Sequence, residues 1–123
     1  RLLEDIMIRS TLHEQLNKII PTYSVGFDVS TIETDCCILR KNIDLVAVSN
    51  SNAGWDSWTI EIYSKRSPLR VDELIQLIIK QLENTTAELV YGGGAEYFDR
   101  QYQAFSSSIQ IRTPKTFGIK NAN

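Results

Sequence analysis

Three carboxylates, Glu33, Asp35 and Glu61, fall on or beside two predicted extended segments. Carboxylate oxygens converging from neighbouring strands are what a hard cation such as Mg²⁺ selects, and an ion held beside a phosphodiester would make a metal-dependent nuclease. A restriction-type site also needs an acid and a lysine two apart on one strand face. Here position 63 is Tyr63, and Lys65 comes too late, near the strand end. Solvated carboxylates on the outer face of a sheet account for the same residues more simply. The single histidine, His13, has no Cys or Asp spaced to complete a metal site or a triad, so it reads as an ordinary helix residue. Gly92-Gly93-Gly94 lacks the Lys and Ser/Thr of a phosphate loop and no helix follows, which leaves a hairpin hinge. Asn84-Thr85-Thr86 matches a glycosylation acceptor; with no signal-peptide pattern at the start of the sequence, export is not expected and the match reads as coincidence. No catalytic residue, metal or cofactor is therefore expected, and the Mg²⁺ nuclease stands as the alternative reading.

Bulk composition narrows the partners. With 13 Lys and Arg against 15 Asp and Glu, the net charge of −2 gives no global attraction to nucleic acid or anionic lipid. Hydrophobic residues at 42% and charged residues at 23% describe an ordinary globular domain, and 123 residues suffice for one core. The only cysteines, Cys36 and Cys37, are adjacent, so a strand would point them to opposite faces and a bridge between them would be strained. Two reduced thiols and a cytoplasmic site of synthesis are expected. No apolar run approaches the roughly 18 residues of a membrane span, so no membrane partner is expected.

The elements that must position these residues centre on 55–82. In 55–63 the side chains alternate, with Trp58, Ile60 and Ile62 on one face and Ser57, Thr59, Glu61 and Tyr63 on the other, which predicts a half-buried strand. Residues 67–70 read as a turn, and Val71, Leu74, Ile75, Ile78 and Leu82 then recur at helical spacing. Leu77 and Ile79 lie off that stripe and imply a second burial partner. A first helix is predicted over 2–20, with Ile8, Leu12, Leu16, Ile19 and Ile20 on one stripe and Pro21 ending it, or beginning only at Leu12 after a capping box at Thr11-Leu12-His13-Glu14. Further strands are predicted at 23–29, 36–40, 44–49 and 87–91. A last one places Phe105, Ser107, Ile109 and Ile111 on a dry face and Ser106, Ser108, Gln110 and Arg112 on a wet one. Residues 115–123 read as an exposed tail. The sum is a single α+β domain, a mostly antiparallel β-sheet with two α-helices packed on one face.

Trp55, Tyr63, Tyr91, Tyr97, Phe98 and Tyr102 form a second notable group, because large aromatics on outer strand faces and in loops often mark contact surfaces. With many strand edges and no catalytic set, they tilt the reading toward an assembly protein.

The order of elements resembles the tail terminator (tail completion) proteins of long-tailed bacteriophages. The matching features are the N-terminal helix, a strand at Cys36-Cys37-Ile38-Leu39, the tryptophan-rich strand 55–63, and Ser64-Lys65-Arg66-Ser67-Pro68-Leu69 feeding the helix 71–82. Glu96-Tyr97-Phe98-Asp99-Arg100 and a long final strand ending at Ile111-Arg112 complete them. The likeness spans most of 12–113 and is a pattern of elements, not a fixed motif; residues 41–54 and those after Pro114 have no counterpart in it. It implies a structural virion protein at the head-tail junction, made in the host cytoplasm. Copies would form a homo-oligomeric ring, typically a hexamer, that caps the tail tube, stops its polymerisation and provides the surface for head-tail joining. The implied partners are further copies of itself, the major tail tube protein and a head-completion or connector protein, with DNA only as cargo passing through the lumen. A head-side connector or neck subunit is the other reading within this class. The candidate interface residues are Asn50, Asn52, Trp55, Tyr97, Asp99, Arg100, Tyr102, Arg112, Lys115 and Lys120.

Overall fold

A computed structural model describes residues 2–24, 32–42, 54–91, 95–114 and 117–120. Helix α1 (Leu2–Asn17) is continuous from its start, so Thr11 caps nothing; its hydroxyl donates back to the Met7 carbonyl at 2.9 Å. The stripe ends in a hydrogen-bonded turn over 18–20. Pro21 then leads the chain out, and the Asn17 side chain accepts the Thr22 amide at 2.9 Å. Ile8, Leu12, Leu16 and Ile20 are buried as the spacing requires, while Ile19 lies at the margin.

Six strands make one mixed, mostly antiparallel sheet: β1 (Thr22–Ser24), β2 (Cys36–Lys41), β3 (Trp55–Ser64), β4 (Glu88–Tyr91), β5 (Tyr97–Asp99) and β6 (Ala104–Pro114). The lateral order is β1-β2-β3-β6-β4, with β5 also on β6. Among the described strands, β1 and β2 run parallel and the other pairs antiparallel. β3 pairs with β6 along its whole length, from Trp55 opposite Pro114 to Ser64 opposite Phe105. β4 and β5 share the far side of β6, opposite its two ends, and together form a broken outer edge. The strand expected over 23–29 is described only as Thr22–Ser24; the rest of it, the run 44–49 and the glycine turn 92–94 lie outside the described residues.

Helix α2 (Pro68–Leu82) begins three residues earlier than the apolar spacing predicts. Ser67 is extended, at φ −174° and ψ 161°, and its hydroxyl accepts the Arg70 amide at 3.1 Å, while Pro68 occupies a first-turn position where no amide is required. What reads as a turn is thus the cap of the helix. Val71, Leu74, Ile78 and Leu82 are buried against Leu39, Trp58, Ile60, Ile62, Ile109 and Ile111, and α1 joins the same cluster. Both helices cover this one face. Ile79 packs at its margin, whereas Leu77 stays exposed. Trp58 is fully enclosed: its indole donates to Thr113 Oγ1 at 2.9 Å, and Arg9 and Lys41 lie 5.2 and 5.9 Å from the ring centroid.

Two expectations are corrected. The opposite face of the sheet is not uniformly wet, because Ile32, Cys36, Ile38, Tyr63 and Ala104 form a second cluster there, flanked by Tyr23 and Tyr102. Ser106, on that face, is buried with it. The chain after Pro114 also returns to the fold at 117–120: Phe117 packs on the main core, Gly118 O accepts the Thr86 amide and Asn84 O accepts the Lys120 amide.

Candidate functional site

The three carboxylates do not converge. Asp35, just before β2, has both oxygens engaged: Oδ1 accepts the Ser64 hydroxyl at 2.7 Å and Oδ2 accepts Arg70 Nε at 2.8 Å. Glu61, opposite Ile38 on β3, pairs with Arg40 at 3.0 Å, and Glu33 is exposed in the loop ahead of Asp35. Among the described residues no group of three or more His, Cys, Asp or Glu side chains could hold a metal ion. Asp35 instead ties the start of α2 to the end of β3, and its hydrogen bond holds the Arg70 guanidinium even above its usual high range.

His13 lies between α1 and β1, with Nε2 3.1 Å from Ser24 Oγ. Burial, and then the Arg9 guanidinium, lower its pKa, against a hydrogen bond to the Thr22 backbone that raises it. The neutral ring is the form this setting favours. Burial pushes the Cys36 thiol up to about 12 and the Cys37 thiol up to about 11, so both are poor nucleophiles here. Cys37 Sγ also contacts Thr22 Oγ1 at 3.3 Å, and both cysteines are unbridged, as adjacent strand positions require.

What this surface offers is apolar. Along the outer edge, Leu89 and Val90 of β4 and Tyr97 and Phe98 of β5 are each 48–51% exposed, and Phe98 rests edge-on against Phe105 at 5.2 Å. Beside them, Arg112 of β6 pairs with Glu88 at 2.7 Å and covers the Trp55 ring at 4.1 Å, a line of contacts across three strands. Below Leu89 a groove of about 280 Å³ runs between the C-terminal end of α2, β4 and the returning 117–120 segment. Ile79, Leu82, Ala87, Leu89 and Ile111 floor it, and Glu83, Glu88 and Lys120 rim it. At the other end of α2, Leu69 is 67% exposed and stands beside the exposed Lys65 and Arg66.

Of the residues singled out by sequence, Tyr97, Arg112 and Lys120 border this apolar edge and groove, and Trp55 is partly covered beneath Arg112. Arg100 is exposed in the β5–β6 turn, where Asp99 Oδ1 accepts the Tyr102 amide at 3.0 Å. Tyr102 turns inward, meeting Tyr63 edge-on at 5.3 Å, and its carbonyl accepts the Ile32 amide. Asn50, Asn52 and Lys115 lie outside the described residues. Leu69 and the groove were not anticipated. The signal for Leu69 was present, since it falls off the buried stripe of α2 once the helix is started at Pro68; the groove depends on the return of 117–120, which no periodicity announces.

Among the described residues no helix is long and apolar enough to cross a membrane. No protein-family model matches the chain, and no curated protein matches it.

Proposed function

We propose that this protein is a structural subunit of a long-tailed phage, joining copies of itself into a ring that caps the head-proximal end of the tail tube and offers the surface for head joining. The observation that carries the reading is the outer edge of the sheet, where Leu89, Val90, Tyr97 and Phe98 are all about half exposed. Strand edges of folded monomers are ordinarily blunted by charge or cover, and an apolar edge invites another chain. The element order that resembles tail terminators supplies the identity of the assembly, with the tail tube protein below and a head-completion protein above as further partners. A mildly acidic subunit also suits a lumen that DNA must traverse without being gripped.

Sedimentation velocity and native mass measurement over a wide concentration range test the proposal, together with binding to purified tail tubes. A discrete closed oligomer that binds tube ends is expected. A strict monomer with no affinity for tubes would overturn it.

A further inference from the structure

We infer that copies of this chain join head to tail through the two ends of α2, the Leu69 knob of one copy seating in the Ile79–Leu82–Leu89 groove of the next. The inference rests on the assembly reading above and specifies its contact. Leu69 and Leu82 are separated by thirteen residues of helix, about 20 Å at 1.5 Å per residue, so no copy can fill its own groove. Knob and groove are therefore distinct patches on one rigid element. Their contact is heterologous, the kind that propagates until it closes as a ring or runs on as a filament.

The chemistry of the two ends matches. Leu69 is the most exposed large apolar side chain among the described residues, and the groove is lined by five apolar residues, of which Ile79, Ala87 and Leu89 retain accessible surface, around a space that admits a leucine. The knob is flanked by Lys65 and Arg66 on its loop side and by Asp72 on its helix side, all exposed. The groove carries Glu83 and Glu88 on its rim, with Lys120 as its one cation. Acid thus faces base in both senses when the basic loop lies over Glu83. Glu88 is already shared with Arg112, which leaves Glu83 as the principal partner for Arg66. A second copy is favoured as occupant because the complementary knob is on this same chain.

Paired single-cysteine variants test the contact. Leu69→Cys and Leu89→Cys are prepared separately, mixed and mildly oxidised; Cys36 and Cys37 are buried, with raised pKa values, and the unsubstituted protein supplies the background. A disulfide-linked dimer from the mixture, and from neither variant alone, is expected. Cross-linking of either variant with itself would show a symmetric contact and overturn the inference, as would no cross-link in a protein that sediments as an oligomer. In that last case the assembly reading survives and only this contact fails, whereas a monomeric unsubstituted protein removes both. Independently, Leu69→Asp is expected to weaken self-association by about 30-fold or more with no change in thermal stability, the effect of removing an interface anchor. Arg66→Glu weakens association less, and Glu83→Arg in the same chain restores it. A Leu69→Asp protein that assembles normally would also sink the contact, and if it assembles but no longer binds tubes, the Leu69 knob belongs to the tube interface instead.

Discussion

At the scale of single residues, the most consequential contact is Asp35, which holds a fully buried hydroxyl on Ser64 and the guanidinium of Arg70 at once. Charge-assisted hydrogen bonds of this kind contribute more than neutral ones, and removing the acceptor leaves the buried Ser64 O–H without a partner, while its oxygen still accepts the Arg66 amide. Asp35→Ala is expected to lower unfolding stability by about 1–3 kcal/mol in urea titrations, with Asp35→Asn intermediate; a change below about 0.5 kcal/mol would show the pairing to be incidental. His13 contributes to the acid side of the pH profile. Its folded pKa lies below the unfolded value near 6.5, so as pH falls through that value the unfolded chain takes up a proton that the folded chain resists, and stability declines until the folded ring also protonates. Denaturation midpoints measured from pH 8 to pH 5 should fall more steeply for the native protein than for His13→Gln. Cys36 and Cys37 should react with a thiol reagent only on unfolding, and prompt labelling of the native protein would contradict their burial.

At the scale of elements, the two capping signals in the sequence differ: the box at Thr11 lies inside the continuous helix α1 and caps nothing, whereas the Ser67 hydroxyl accepts the Arg70 amide. Ser67 caps α2, and Ser67→Ala is expected to cost about 1 kcal/mol by thermal or chemical unfolding, whereas Ser67→Asp should retain most of the stability. In the β5–β6 turn, Gln103 holds φ at 54°, a left-handed backbone that non-glycine residues adopt reluctantly. Gln103→Gly should be neutral or stabilising there, while Gln103→Val should destabilise by about 1 kcal/mol or more. The elements readable from sequence were those whose pattern meets one partner. β3 is legible because its helix-facing Trp58, Ile60 and Ile62 are all fully buried, even though Thr59 and Tyr63 on its other face are buried as well, and β6 follows it residue for residue. The α2 start is not legible in the spacing because Ser-Pro serves equally as turn and as cap, and the distinction lies in whether the next turn is helical. β5 escaped notice because three residues, half exposed, give alternation no length to show. The inner placement of Tyr63 and Tyr102 was illegible for a related reason: the second cluster is assembled from Ile32, from β2 and from the β5–β6 turn, which are neighbours only in the folded sheet. Aromatic type marked these residues as noteworthy but could not say which face would be covered.

At the scale of the whole molecule, the apolar edge and the polar line beside it divide the labour. Arg112, held by Glu88 and stacked on Trp55, keeps the adjoining surface charged and ordered, which confines the sticky area to β4, β5 and the groove. Arg112→Ala should therefore loosen specificity: more non-specific aggregation by light scattering, with little loss of folding stability, since an exposed pair of this kind contributes about 0–1 kcal/mol. Of the proposed site, the sequence exposed Tyr97, Arg112 and Lys120, residues conspicuous by type. It concealed the groove, which exists only after the chain doubles back at 117–120 to bridge Ile119 with Thr85.

The lateral order of the sheet also governs when the protein can fold. β6, the last of the described strands, sits between β3 and the β4–β5 edge, and its register joins Trp55 to Pro114 across the whole intervening helix. Until β6 has been synthesised, β3 has a partner on one side only and β4 has none, so the sheet cannot zip up progressively behind the ribosome. Closure of the sheet therefore waits until β6 has been synthesised. The apolar edge is accordingly a late feature: Leu89, Val90, Tyr97 and Phe98 are brought into line only when β6 arrives, so a nascent chain lacking β6 has no finished edge to present.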